Sequence, residues 1–152
     1  MLSQIKRFFE QHLEPRTSAE PPQHRLQLAA CALMLEVARM DQSVSEDELK
    51  VVADSARQLL QLSQEKVDEI MALAGQEAKE ATSLYQFTNL IHEHYDAQQK
   101  FQLLRLMWDV ALADGRIAAL EEHMIRRVAD LLYIPHVQFV QARHLAEEAR
   151  KA

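Results

Sequence analysis

Residues 36–48 read EVARMDQSVSEDE, and residues 109–121 read DVALADGRIAALE. A shift of 73 residues, from position 36 to position 109, aligns the two stretches without a gap. In each copy an apolar helical pattern precedes a loop and an amphipathic helical pattern follows it. The acids of the two copies coincide at three places: Glu36 with Asp109, Asp41 with Asp114, and Glu48 with Glu121. The chain therefore contains an internal duplication, and the simplest packing relates the two copies by a pseudo-twofold axis.

The composition around this repeat is typical of an all-α protein. The 152 residues include only 2 glycines and 4 prolines, and none of the prolines lies between positions 23 and 134. A sheet protein needs more of both residues for its turns. Apolar residues make up 48% of the chain, which is enough for a sizeable core. The sequence predicts an all-α bundle built from two pseudo-symmetric helix-loop-helix halves.

Capping residues mark where the helices of this bundle begin and end. Ser45 and Glu48 have the spacing of a capping box, which predicts a helix from there to about Leu62. Asp96 and Gln99 form a second capping pair. Further helix boundaries are predicted at Ser63, Gly75 (a C-cap), Ser83 and Pro135. The residues expected in the core are Cys31, Leu35, Leu104, Met107 and Trp108.

The chain divides by composition into three parts. Residues 1–13 are predicted to form an N-terminal amphipathic helix, residues 14–23 a linker rich in proline and polar residues, and residues 24–152 the helical domain. The N-terminal helix has three interpretations: a flap packed on the domain, a docking or membrane-surface element, or a disordered segment. Because a linker follows it, we expect the domain to fold without residues 1–22.

Charge and cysteine content exclude several classes of function. The net charge of −6 argues against general nucleic-acid binding and against charge-driven docking on anionic lipid. The single cysteine, Cys31, cannot form a disulfide within the chain or a thiolate zinc site. No apolar run is long enough for an integral membrane segment. The first residues have no apolar stretch typical of a signal peptide, so a cytoplasmic protein is expected.

The second loop resembles part of a calcium site. From Asp114 to Glu121 it has the spacing D-G-x-I-x-x-x-E, which is the second half of an EF-hand loop. The first half is missing, because Val110 and Leu112 cannot ligate a cation. In the first copy Gln42 replaces the glycine. Neither loop is therefore a self-sufficient EF-hand.

Three interpretations stay open for the four loop acids, which are Asp41, Glu48, Asp114 and Glu121. They stabilise turns and cap helices, or they bind a cation, or they form an acidic patch for a protein partner. Ala118 replaces the capping serine of the second copy although Glu121 is retained, and this favours a role beyond capping. Glu36 and Asp109 would support the ligands of a cation site from just outside its coordination sphere.

The repeated pattern resembles the TerB-like (tellurite-resistance protein B) family over about residues 25–148. It consists of an alanine-rich helix end, an acid, a loop, an apolar residue and a glutamate four residues later, here residues 38–48 and 111–121. The resemblance implies a compact bundle of about seven helices, with an acidic cluster that binds a divalent cation. It also implies a role in stress response or in complexes at the inner face of the membrane.

These observations lead to two hypotheses for function. The first is a non-enzymatic module that binds a divalent cation, a protein partner, or both through the acidic loops. The second is a metal-dependent hydrolase or lyase that uses the same carboxylates. Converging carboxylates favour a hard cation, so calcium or magnesium is expected rather than zinc or copper, and no organic cofactor is expected. The cluster His92-Glu-His94 is predicted to lie at a helix end, where the helix dipole favours histidine.

Overall fold

The computed structural model describes residues 4–17, 19–40, 45–77, 82–113 and 118–151. This part of the chain holds eight α-helices and no strand, so the all-α prediction is confirmed. A π-helical turn, Phe9–Leu13, follows the first helix directly. The helices are α1 (Gln4–Phe8), α2 (Pro22–Met40), α3 (Glu46–Leu59), α4 (Gln64–Glu77), α5 (Thr82–His94), α6 (Ala97–Ala113), α7 (Ala118–Leu131) and α8 (His136–Lys151).

The internal duplication extends to a third helix in each half. In the first half α2 packs against α3 and α4, and in the second half α6 packs against α7 and α8 in the same way. The two central helices, α2 and α6, pack against each other, and each also contacts the other half's second helix. The bundle is therefore a tandem pair of three-helix units, with α5 lying between them in the chain.

The register of the duplication changes at the loops. The central helices match at a shift of 73 residues, where buried Ala30, Met34 and Ala38 correspond to buried Leu103, Met107 and Ala111. The following helices match at a shift of 72, where buried Val52, Ala56 and Leu60 correspond to buried Met124, Val128 and Leu132. The gapless alignment at a shift of 73 residues therefore does not hold for the helices that follow the loops. A one-residue change inside a helix would rotate its apolar face by about 100°, so the loop absorbs the difference.

The predicted N-terminal caps are confirmed. The Ser45 hydroxyl accepts a hydrogen bond from the backbone N–H of Glu48 at 3.1 Å. Asp96 and Gln99 cap each other reciprocally at 2.9 and 2.8 Å. The Ser63 hydroxyl accepts from the backbone N–H of Lys66 at 3.2 Å. These side chains satisfy donors that the first helical turn leaves without partners.

The predicted C-cap at Gly75 is wrong, because α4 continues through this residue to Glu77. The left-handed residues that end helices are instead Gln61 after α3 and Tyr133 after α7, with φ of 56° and 59°. In both cases the next residue closes a Schellman motif. Leu62 N–H donates to the Arg57 carbonyl at 3.0 Å, and Ile134 N–H donates to the Ala129 carbonyl at 2.9 Å.

Helix α2 is buried around nearly its whole circumference. Every residue from Leu28 to Ala38 is buried, including Cys31, Leu35 and the acid Glu36. A helix that is apolar on all sides must be enclosed by other helices or by lipid. No helix in the described segments is both long and apolar enough to cross a membrane. All five predicted core residues are at most 2% exposed, so that prediction is confirmed.

The N-terminal segment belongs to the same core. Ile5, Phe9 and Leu13 are fully buried, and Phe8 is 5% exposed. The Tyr95 hydroxyl donates to the Leu13 carbonyl at 2.9 Å, which fixes the end of the segment to the residue that follows α5. The structure therefore supports the interpretation of this segment as a packed flap. The burial argues against the expectation that the domain folds without residues 1–22.

A substitution in the π-helical turn tests this role of the N-terminal segment. We expect Phe9→Ala to lower the free energy of unfolding by about 3–5 kcal/mol, because it opens a cavity at a fully buried site. Gln11→Ala changes an exposed residue of the same turn and should shift stability by no more than about 0.5 kcal/mol. Urea unfolding measures both. Equal stabilities for the two variants would contradict the structural role of the segment.

The thiol of Cys31 offers a second test of the core. Burial raises the pKa of this thiol to about 12, so the reactive thiolate is nearly absent at neutral pH. We expect a thiol-specific disulfide reagent to modify the folded protein only as fast as the protein opens. The same chain in urea should react at the rate of a free thiol. Rapid modification of the folded protein would show that Cys31 is accessible.

Candidate functional site

Glu48 is the loop acid whose surroundings the structure describes. It lies in the first turn of α3, and its side chain is exposed. Its carboxylate accepts a hydrogen bond from the Ser45 hydroxyl at 3.2 Å, while its backbone N–H donates to the same hydroxyl. Ser45 therefore caps the helix through the Glu48 N–H, while the Glu48 carboxylate contacts the Ser45 hydroxyl and not the Ser45 backbone N–H that a full capping box uses. The carboxylate retains further acceptor capacity toward solvent.

The other three loop acids are not placed in full. Asp41 and Asp114 lie outside the described residues, and Glu121 is described only through its backbone in α7. The convergence of the four acids therefore stays a prediction. Within the described segments, which leave out most of both loops, no group of three or more histidine, cysteine or acidic residues is arranged to hold a metal.

The change of register separates the two loop glutamates. When the shift of 72 residues is applied to the first turns of α3 and α7, Glu121 takes the backbone position equivalent to Leu49. Leu120 then takes the position equivalent to Glu48. Leu49 is buried in α3. The two glutamates are thus equivalent in the linear alignment but one residue apart in helical register.

The flanking acids occupy equivalent positions on the two central helices but different environments. Glu36 on α2 is buried at 1% exposure. Asp109 on α6 is half-buried and lines an open cleft. Burial raises the pKa of the Asp109 carboxyl, and the charges of Arg105 and Arg150 partly oppose that increase. A carboxylate with a raised pKa in a cleft is a recognised sign of a functional position.

The cleft has a volume of about 470 Å³ and runs along the outer side of α6. We call it the α6 groove. Apart from Gln23 of α2, its lining residues all come from α6: Gln98, Phe101, Gln102, Arg105, Leu106 and Asp109. Of this set, only Asp109 was a candidate site residue from the sequence. A comparison of the two copies position by position could have found the groove, because Gln102 and Arg105 of α6 stand where α2 has alanine.

The histidine cluster has a structural role, as its position at a helix end predicted. His92 and His94 lie in the last turn of α5. The Nδ1 atom of His94 lies 2.8 Å from the Leu90 carbonyl oxygen, and its Nε2 atom lies 3.6 Å from the Glu14 carboxylate. The Lys100 Nζ atom lies 2.6 Å from Nδ1 of His92. These contacts hold the N-terminal segment and the start of α6 against α5.

The protein is thus an all-helical protein with a duplicated three-helix unit and an acidic loop sequence in each copy. The family model described as tellurite resistance protein TerB matches residues 27–144. Because this match covers more than half of the chain, the protein belongs to the TerB family, and the resemblance drawn from the repeated loops is confirmed. No curated protein and no solved structure matches the chain.

Replacement of Asp109 tests the electrostatics of the cleft. A carboxyl whose pKa is raised by folding destabilises the folded state when it is ionised, so this cost develops as the pH rises above the ordinary range for aspartate. We expect Asp109→Asn to stabilise the protein at pH 7.5 by roughly 0.5 kcal/mol or less, since the site is partly exposed. The gain should shrink as the pH is lowered toward 4. Urea unfolding at several pH values measures it.

Asp54→Asn is the matched control for this measurement, because Asp54 is an exposed aspartate in the middle of α3. Its replacement should not reproduce the pH-dependent gain. An Asp109→Asn effect that is constant across this pH range would contradict the assignment to desolvation.

Proposed function

We propose that this TerB-family chain is a non-enzymatic binding module whose two acidic loops, residues 41–48 and 114–121, bind a divalent cation. Calcium or magnesium fits best, because both prefer oxygen ligands. A protein partner that contacts the same acidic surface, at the inner face of the membrane, would link cation binding to its cellular role. The family description, tellurite resistance, supports a place in stress response.

The observation that supports this proposal most is the equivalence of the helices that carry the loops. Asp41 follows the end of α2 and Asp114 follows the end of α6, and these two helices occupy equivalent positions in the two halves. A helix C-terminus carries a partial negative charge of about half an elementary charge. An aspartate directly after it adds a full charge at the same place. Each half thus attracts cations at the same structural position.

The two loops differ in which basic residues of the chain lie near this negative charge. The last turn of α2 contains Arg39, whose guanidinium lies 3.8 Å from the Glu46 carboxylate across the first loop. The last turn of α6, which the structure describes in full, contains no basic residue, and Leu112 stands at the position equivalent to Arg39. In the sequence, however, the second loop carries Arg116 between its two acids, so each loop has a basic residue of the chain close to it. The turn-forming Gly115 favours the second loop as the stronger site.

Thermal melts with calcium, with magnesium and with a chelator test the proposal. A cation that binds only the folded state stabilises it by about 2.7 kcal/mol at a hundredfold excess over its dissociation constant. We expect the midpoint to rise with at least one ion. Asp114→Asn and Glu121→Gln should each weaken that response, and Asp41→Asn should weaken it less.

Glu93→Gln removes one negative charge from an exposed site on α5 and serves as the matched control. Its response to the ions should equal that of the natural sequence. No shift with millimolar calcium or magnesium would remove the cation proposal. The acids would then act in capping or in binding a partner without a metal.

A further inference from the structure

The α6 groove is the open counterpart of a face that is closed on α2. At the shift of 73 residues, the groove residues Phe101, Gln102, Arg105, Leu106 and Asp109 correspond to Leu28, Ala29, Ala32, Leu33 and Glu36. Each of those α2 residues is at most 1% exposed. The five α6 residues are all half-buried or exposed. The same helical face is therefore sealed in one half of the duplication and open in the other.

Helix α2 has two neighbours that have no equivalent on α6 in the described part of the chain. Both central helices pack against the other central helix, against the two helices of their own half and against the second helix of the other half. Beyond these shared neighbours, α2 also packs against the π-helical turn and against α5. In the described part of the chain, α6 has no comparable extra neighbour. Of the two central helices, α2 is thus the one that the chain covers with two additional helical segments.

The α6 groove differs from the α2 face in carrying a positive charge, because Arg105 stands where α2 has Ala32. The side chain of Arg105 forms no hydrogen bond or ion pair with any described residue, and its Nε atom is shielded from solvent. A shielded donor without a partner is costly, and a carboxylate is its strongest partner. Arg105 and Arg150 both act on the Asp109 carboxyl, so Arg105 shares the one acid among the groove's lining residues with a second arginine. On a chain with a net charge of −6, this sharing favours an acidic ligand.

We propose that the α6 groove binds an amphipathic, acidic helix of a partner protein. Apolar residues of that helix would pack on Phe101 and Leu106, and a carboxylate one turn further along would pair with Arg105. The lining from Gln98 to Asp109 corresponds to about 16 Å of helix axis at 1.5 Å per residue, so a helix of about three turns fits its length. The glutamine amides at the rim donate and accept hydrogen bonds, as the polar edge of a protein interface requires. This site is separate from the acidic loops.

A display library of short helical peptides, selected on the full chain, supplies the probe. We expect enriched sequences to share an apolar stripe with an acid one turn beyond it. Fluorescence anisotropy then gives the affinity of the best peptide for the natural chain and its variants. Arg105→Glu should weaken binding about tenfold or more, as expected for a shielded charge at the centre of an interface. Phe101→Ala should weaken it similarly through the loss of apolar contact.

Arg126→Glu is the matched control, because it makes the same charge change at an exposed site on α7. Its affinity for the peptide should stay within about twofold of the natural chain, as is usual for charges outside an interface. A peptide with glutamine in place of its acid should bind the natural chain more weakly than the acidic peptide does. The Arg105→Gln variant should bind both peptides equally well, which tests the pairing directly. Circular dichroism spectra check that each variant is folded.

Two results would overturn the proposal. One is a library that yields no peptide above background. The other is a peptide whose affinity falls equally with Arg105→Glu and Arg126→Glu, since binding would then follow the overall charge and not the groove. The peptide affinities are measured in the presence of a chelator, because Asp109 lines the groove and was also expected to support the cation site. Either result then stands apart from the outcome of the calcium and magnesium melts.

Discussion

The enclosure of α2 is the constraint on which the rest of the bundle depends. A helix that buries every residue from Leu28 to Ala38 has no face for water, so neighbours must cover it on all sides. The helices of the two repeated units supply part of this cover. The remainder comes from α5 and from the N-terminal segment, which is why a chain made of two similar halves also contains elements that occur only once.

The sequence predicted those parts of the fold that rest on local chemistry. The caps at Ser45, Ser63 and Asp96 were predictable because each satisfies a donor within its own first turn. The left-handed residues Gln61 and Tyr133 were not, because this conformation costs about 1–2 kcal/mol without glycine. It is held by the hydrogen bonds and the burial of the residues that follow, Leu62 and Ile134. Gly75 was misleading for the opposite reason, since α4 continues through a residue that favours a helix end.

The candidate site was predictable only in part. The acids of the loops and their association with helix ends follow from spacing, and Glu48 occupies the capping position that its spacing predicted. The one-residue change of register was hidden, because the acids still align when the loop difference is ignored. The different surroundings of Glu36 and Asp109 depend on which helices cover each face. A comparison of sequence positions cannot show that before the packing is known.

The hydrogen bond between Tyr95 and Leu13 joins residues 82 positions apart in the chain. During synthesis the first amphipathic turns leave the ribosome long before α5 and Tyr95 exist to receive them. Ile5 and Phe8 of α1, which packs against α5, therefore lack part of their native cover until α5 has been made, whereas the π-helical turn can pack on α2 earlier. Such long-range closure slows folding relative to local helix pairing, and exposed apolar segments in incomplete chains are the surfaces that chaperones and aggregation both act on. The contacts between α1 and α5 are thus among the later native contacts to form.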